Sequence, residues 1–155
     1  MGVAKVSCES GTKLLWLAAV AAMSCFGQLQ SVEIRVSGLD CPSCAGSVEP
    51  RLKRVRGVAA ARFDAEKAIA SVTMAADNRV TLAAIRDALK GLGYTPGDAE
   101  VVVAGTVKDG RLILPLEAGD FLLEPASGES GPMRMEGTVS ASSNTLRVST
   151  ATKSH

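Results

Sequence analysis

The side chains with the clearest chemistry are Cys41 and Cys44, set in Gly38-Leu39-Asp40-Cys41-Pro42-Ser43-Cys44. Two thiols separated by two residues can converge on one soft metal ion, or close on each other as a redox-active disulfide. Which thiol is ionised matters to either chemistry, and a helix starting just after the pair would favour thiolate through its unpaired N–H groups. The other two cysteines, Cys8 and Cys25, flank an apolar N-terminal stretch and receive no part in this site. The single histidine is the terminal residue, His155, so no imidazole is placed to complete a ligand set or a catalytic triad. Paired carboxylates have no recognisable spacing, and the expectation is a binding protein without an enzyme centre. Gly91-Leu92-Gly93 with Gly97 suggests a phosphate loop only superficially, because it follows a helical run and precedes a strand, the reverse of the order such loops need.

The elements around the pair are legible from periodicity. Val32, Ile34 and Val36 alternate with Glu33 and Arg35, which predicts a half-buried strand over Ser31–Ser37 that Gly38 ends. Beyond the cysteines, Ala45, Val48, Leu52 and Val55 recur at helical spacing. Pro50 lies inside that run and predicts a kink or a short first segment near Val48. Gly57 stops the helix, and Val58–Asp64 and Ala68–Met74 read as a hairpin joined by Ala65-Glu66-Lys67. Leu82, Ile85, Leu89 and Leu92 form a second amphipathic stripe, with Thr81 as N-cap and Gly91 or Gly93 at its end. A last strand is expected around Tyr94–Val103. Strand, helix, strand, strand, helix, strand is the split βαβ order, so residues 31–98 are expected to form an α+β, ferredoxin-like βαββαβ sandwich.

With this order in place, Gly-Leu-Asp-Cys-Pro-Ser-Cys resembles the Gly-Met-x-Cys-x-x-Cys motif of the heavy-metal-associated domain family. Leu39 stands where the family has Met, a residue that packs under the loop. The resemblance implies metal bound by Cys41 and Cys44, and it places Tyr94 in the loop that approaches the metal, either shielding it or closing the core. Asp40 resembles the acidic residue before the first cysteine in zinc, cadmium and lead exporters, where it can be a ligand; the alternative is a capping or turn residue. Zn(II), Cd(II) or Pb(II) is therefore weighed ahead of Cu(I) and Hg(II). Two thiolates satisfy linear Cu(I) or Hg(II), whereas zinc would need Asp40 and further donors. The partner implied is a membrane metal transporter or another thiol-bearing metal-binding domain. The rival reading is a thiol-disulfide redox protein using the same pair, against which stands a strand order unlike that of thioredoxin.

The rest of the chain bounds the setting. Lys5 and Lys13 precede an apolar run of ten residues, Leu14–Met23, followed by Ser24 and Gly27, the layout of a secretory signal over residues 1–27. Ten helical residues rise about 15 Å, too little for a hydrocarbon core of roughly 30 Å. Export to the periplasm is expected, in the manner of the family's secreted single-domain mercury-binding proteins; lipidation of Cys25 is the lesser alternative, since Ala22 departs from the usual lipobox. Residues 99–150 lack helical period and carry a weak repeat. Val101–Val107 and Leu112–Leu114 around a Lys-Asp-Gly turn are echoed by Met133–Val139 and Leu146–Val148. With a strand across Gly119–Pro125 between them, a small five-stranded β unit is expected, of unknown role, with 151–155 as a tail. A formal net charge of +1 and 3% aromatic content offer little to nucleic acid.

Overall fold

The computed structural model describes residues 28–38, 46–114, 119–126 and 128–153. The expected signal, Cys8, Cys25, and the motif residues Asp40, Cys41 and Cys44 lie outside the described residues. The first six elements are β1 (Gln28–Ser37), α1 (Val48–Lys53), β2 (Val58–Asp64), β3 (Ile69–Met74), α2 (Leu82–Lys90) and β4 (Thr95–Lys108). They form an antiparallel sheet in the order β2-β3-β1-β4 with both helices on one face, the ferredoxin-like α+β arrangement. β1 begins three residues before the expected Ser31, so that Gln28 pairs with Ala104.

Each helix is short and held by apolar anchors. In α1, Val48 and Leu52 are fully buried, and the helix starts at Val48 after a single tight turn at 46–47. Pro50 therefore falls in the first turn, where backbone N–H groups have no intrahelical acceptor and a missing one costs little. The expected kink is replaced by a late start. In α2, Thr81 Oγ1 accepts from Ala84 N at 3.0 Å, and Leu82, Ile85, Ala88 and Leu89 are buried. β2 is the free edge of this sheet, and α1 covers part of it: Glu49 Oε1 accepts the Phe63 N–H at 3.0 Å, leaving one fewer open donor for a stray strand.

The expected division at 98/99 falls inside β4, which runs without a break into the second half of the chain. There β5 (Arg111–Ile113), β6 (Asp120–Glu124), β7 (Gly131–Val139) and β8 (Thr145–Lys153) occupy the runs read as strands. They pair in the order β4-β5-β6-β8-β7, and β7 returns to β4, so these five strands close a barrel. All its pairings are antiparallel except β6 with β8. The two halves of the weak repeat are the hairpins β4–β5 and β7–β8, and they face one another through the β4–β7 pairing, Val103 opposite Met135.

The geometry of β4 makes this fusion possible. Val101 and Ala99 lie opposite Val32 and Ile34 on the helix-covered face, and the same face of β4 continues through Val103 and Val107 into the barrel interior. One apolar cluster consequently extends from Leu52 and Ile85 under the helices to Phe121 and Leu146 in the barrel. Gly105 sits where β4 curls toward β5: a Cβ there would come within 2.8 Å of the Ile113 carbonyl oxygen and 3.0 Å of Leu112 Cδ1. A side chain at this point would push the two strands apart.

A second tie joins the halves from outside the core. Arg86, on α2, donates from Nη2 to the carbonyls of Val139 (3.3 Å) and Ser140 (2.9 Å). Asp98 Oδ1 accepts from Ala141 N at 2.9 Å. The turn after β7 is thereby held by both α2 and β4. Burial pushes the Arg86 guanidinium down from its ordinary pKa, while neighbouring Asp98 acts in the opposite direction.

Candidate metal centre

The cysteine motif joins β1 to α1, and its two ends are fixed by different means. On the β1 side, Ser37 pairs with Thr95 at the start of β4, and Ser37 Oγ donates to the Thr95 carbonyl at 3.3 Å. Gly38 follows at φ +88°, a conformation that suits glycine because it has no Cβ. Its open side lies against the chain at 93–95, with the Gly93 carbonyl oxygen 3.7 Å from where a Cβ would stand. On the other side, Gly46 and Ser47 lead into α1, which Val48 and Leu52 pin to the sheet. The ends of the motif loop are therefore held by sheet pairing and by helix packing.

The segment after α2 completes the surroundings. Leu92 N donates to Leu89 O at 3.0 Å, Gly93 N to Lys90 O at 2.9 Å and Tyr94 N to Leu89 O at 3.3 Å, so the chain turns tightly from α2 into β4. This turn brings Gly93 and Thr95 beside Gly38. Tyr94 itself is 5% exposed, and its buried hydroxyl has no hydrogen-bond partner among the described residues. Its ring belongs to the core cluster, which favours the reading of Tyr94 as an aromatic that closes the core.

The start of α1, next in the chain to the motif, carries an open groove of about 430 Å³, lined by Gly46, Glu49, Pro50, Lys53, Phe63 and Ala65. Arg51, Lys53, Arg54 and Arg56 are all exposed on or just after α1, with Glu49 the one carboxylate in that helix. The helix contribution to thiolate formation is smaller than the sequence suggested, because α1 has only six residues. No cluster of three or more His, Cys, Asp or Glu residues able to hold a metal occurs among the described residues.

Two contributors went unread in the sequence. They are Glu49 and Arg86, to which the sequence assigned no role. Glu49 accepts from a donor 14 residues away, and Arg86 donates to an acceptor 53 residues away. No local pattern marks a contact of that kind.

Comparison with known proteins places the chain. Residues 33–95 match the family described as "Heavy-metal-associated domain". Among solved structures, one titled CopZ metallochaperone is 29% identical over 43% of this chain and 97% of its own, with a TM-score of 0.39. The N-terminal domain of a potential copper-translocating P-type ATPase from Bacillus subtilis is 25% identical over 44% of this chain and 85% of its own, TM-score 0.40. The N-terminal domain of the zinc(II) ATPase ziaa is 32% identical over 44% and 64%, TM-score 0.38. A search of curated proteins returned no match. The family match begins in β1 and ends at the first residue of β4, so it takes in the motif loop and both helices and leaves out the barrel. Residues 33–95 thus match the heavy-metal-associated domain model, and their elements take the ferredoxin-like α+β order.

Proposed function

We propose that this protein binds one soft heavy-metal ion through Cys41 and Cys44 and hands it to another thiol-bearing site. The observation that carries the reading is the family match across the segment that brackets Cys41-Pro42-Ser43-Cys44. The two ends of the loop are anchored, and a groove opens at the start of α1. A site of two or three donors keeps coordination low. A partner's thiolates can then enter one at a time, each new metal–sulfur bond forming before an old one breaks, so the ion passes across without being released to water. The metal is cargo, and catalysis is not proposed.

Donor chemistry ranks the cargo. With Asp40 as a third ligand the site suits Zn(II), Cd(II) or Pb(II); without it, the two thiolates suit Cu(I) or Hg(II). The N-terminal segment is proposed to direct export, which would put the site in the periplasm with a membrane transporter or a second thiol-bearing metal-binding domain as recipient.

The test is competitive metal binding by the full chain under reducing conditions, read by native mass spectrometry. Wild type should take up one ion that a Cys41→Ser/Cys44→Ser variant does not. Asp40→Ala should lose the zinc-group metals and keep Cu(I) or Hg(II) if the carboxylate is a ligand. Equal uptake by wild type and the double variant would end the proposal and turn attention to the redox potential of the pair.

A further inference from the structure

The barrel interior is lined almost wholly by branched aliphatic residues: Val101, Val103 and Val107 from β4, Leu112 from β5, Leu123 from β6, and Leu146 from β8. β7 departs from this. Its two consecutive inward positions are Met133 and Met135, 2% and 0% exposed. In a strand interior, β-branched side chains fill such positions with less loss of rotamer freedom, whereas methionine brings a flexible arm and a soft sulfur. Alternate residues of a strand point the same way with Cα atoms roughly 7 Å apart. Two thioether arms of that length can close on one ion between them. Across β4, Met133 faces Gly105, whose open side is filled by Leu112 and the Ile113 carbonyl.

The wall beside the pair is incomplete. β6 and β8 pair only at Leu122–Glu124 with Thr145–Arg147. Beyond that, the stretch of β8 facing Met133 and Met135 has β7 along one edge, no strand along the other among the described residues, and is exposed from Ser149 to Lys153. Thioethers are uncharged, soft donors that hold Cu(I) or Ag(I) and have little affinity for Zn(II).

We propose that Met133 and Met135 form a second soft-metal site, selective for a univalent ion, in the barrel at the end of β4 away from Gly38 and Thr95. It stands apart from the cysteine site, since neither needs the other's donors.

The test uses the full chain with Cys8, Cys25, Cys41 and Cys44 all changed to Ser, labelled at the methionine ε-methyl groups and titrated with Ag(I). At one equivalent, the Met133 and Met135 methyl resonances should shift while that of Met74, buried in β3, stays in place; Zn(II) should move none. Losing only an outer-shell partner costs a metal site roughly ten- to a hundredfold in affinity, so Met133→Leu/Met135→Leu should weaken Ag(I) binding by at least about tenfold. Leucine is close in volume, and circular dichroism checks that the fold is kept. The cysteine-intact chain gives a second reading: one more Ag(I) bound than by its Met133→Leu/Met135→Leu counterpart. Unmoved Met133 and Met135 resonances at excess Ag(I), or a Met74 shift of equal size, would overturn the site whatever the cysteines do.

Discussion

Tyr94 shows how a single residue can serve the fold at some cost to itself. Its ring closes the core next to the motif loop, but its hydroxyl is buried with no partner among the described residues. A buried polar group left unpaired costs about 1–3 kcal/mol. Tyr94→Phe should therefore raise the unfolding free energy by about 1 kcal/mol, measured by urea denaturation of the metal-free protein. If stability instead stays level and metal affinity falls, the hydroxyl serves the loop, and its role as a mere core aromatic is refuted. Gly38 is the other residue whose identity is dictated locally: at φ +88° with the 93–95 chain alongside, any Cβ adds strain at the root of the cysteine loop.

At the scale of elements, α2 does more than cover the sheet. Through Arg86 it grips the turn after β7, a contact between the metal-binding half and the barrel. Hydrogen bonds from a charged group contribute about 1.5–3 kcal/mol, and truncation would leave two carbonyl acceptors to find water. Arg86→Ala should lower stability by about 2 kcal/mol, checked by chemical denaturation. The sign of the pH effect follows from the lowered pKa. Burial penalises the charged form in the folded state, and that penalty would be relieved only as pH rises through the guanidinium range. Since arginine stays protonated below about pH 12, the deficit of the variant should be the same at neutral and mildly alkaline pH. A deficit that varied strongly with pH there would point to a different partner. Pro50 illustrates the same scale from the opposite direction: by the time α1 begins, proline is in the one turn that can accept it.

The whole molecule is best understood through β4, which belongs to both the ferredoxin-like sheet and the barrel. Because one face of this strand lines one continuous core, heating should give a single transition with equal calorimetric and van't Hoff enthalpies. A chain ending after Val103 should fail to fold stably, since Val101 and Val103 would lose the strands that bury them; two separate transitions, or a folded truncation, would contradict the shared core. The sequence by itself determined the cysteine pair, the order of elements through α2 and the positions of the later strands, because each is written in spacing over a few residues: period two, period 3.6, a glycine stop, a cysteine doublet. It also held the repeat that became two facing hairpins. Only tertiary structure decided that the runs read as Tyr94–Val103 and Val101–Val107 are one strand, that β7 closes on it, and that Glu49 and Arg86 find partners far along the chain. Those outcomes depend on which strand edge remains unpaired and which face of β4 continues to be covered, and alternation along one strand cannot tell one edge from the other.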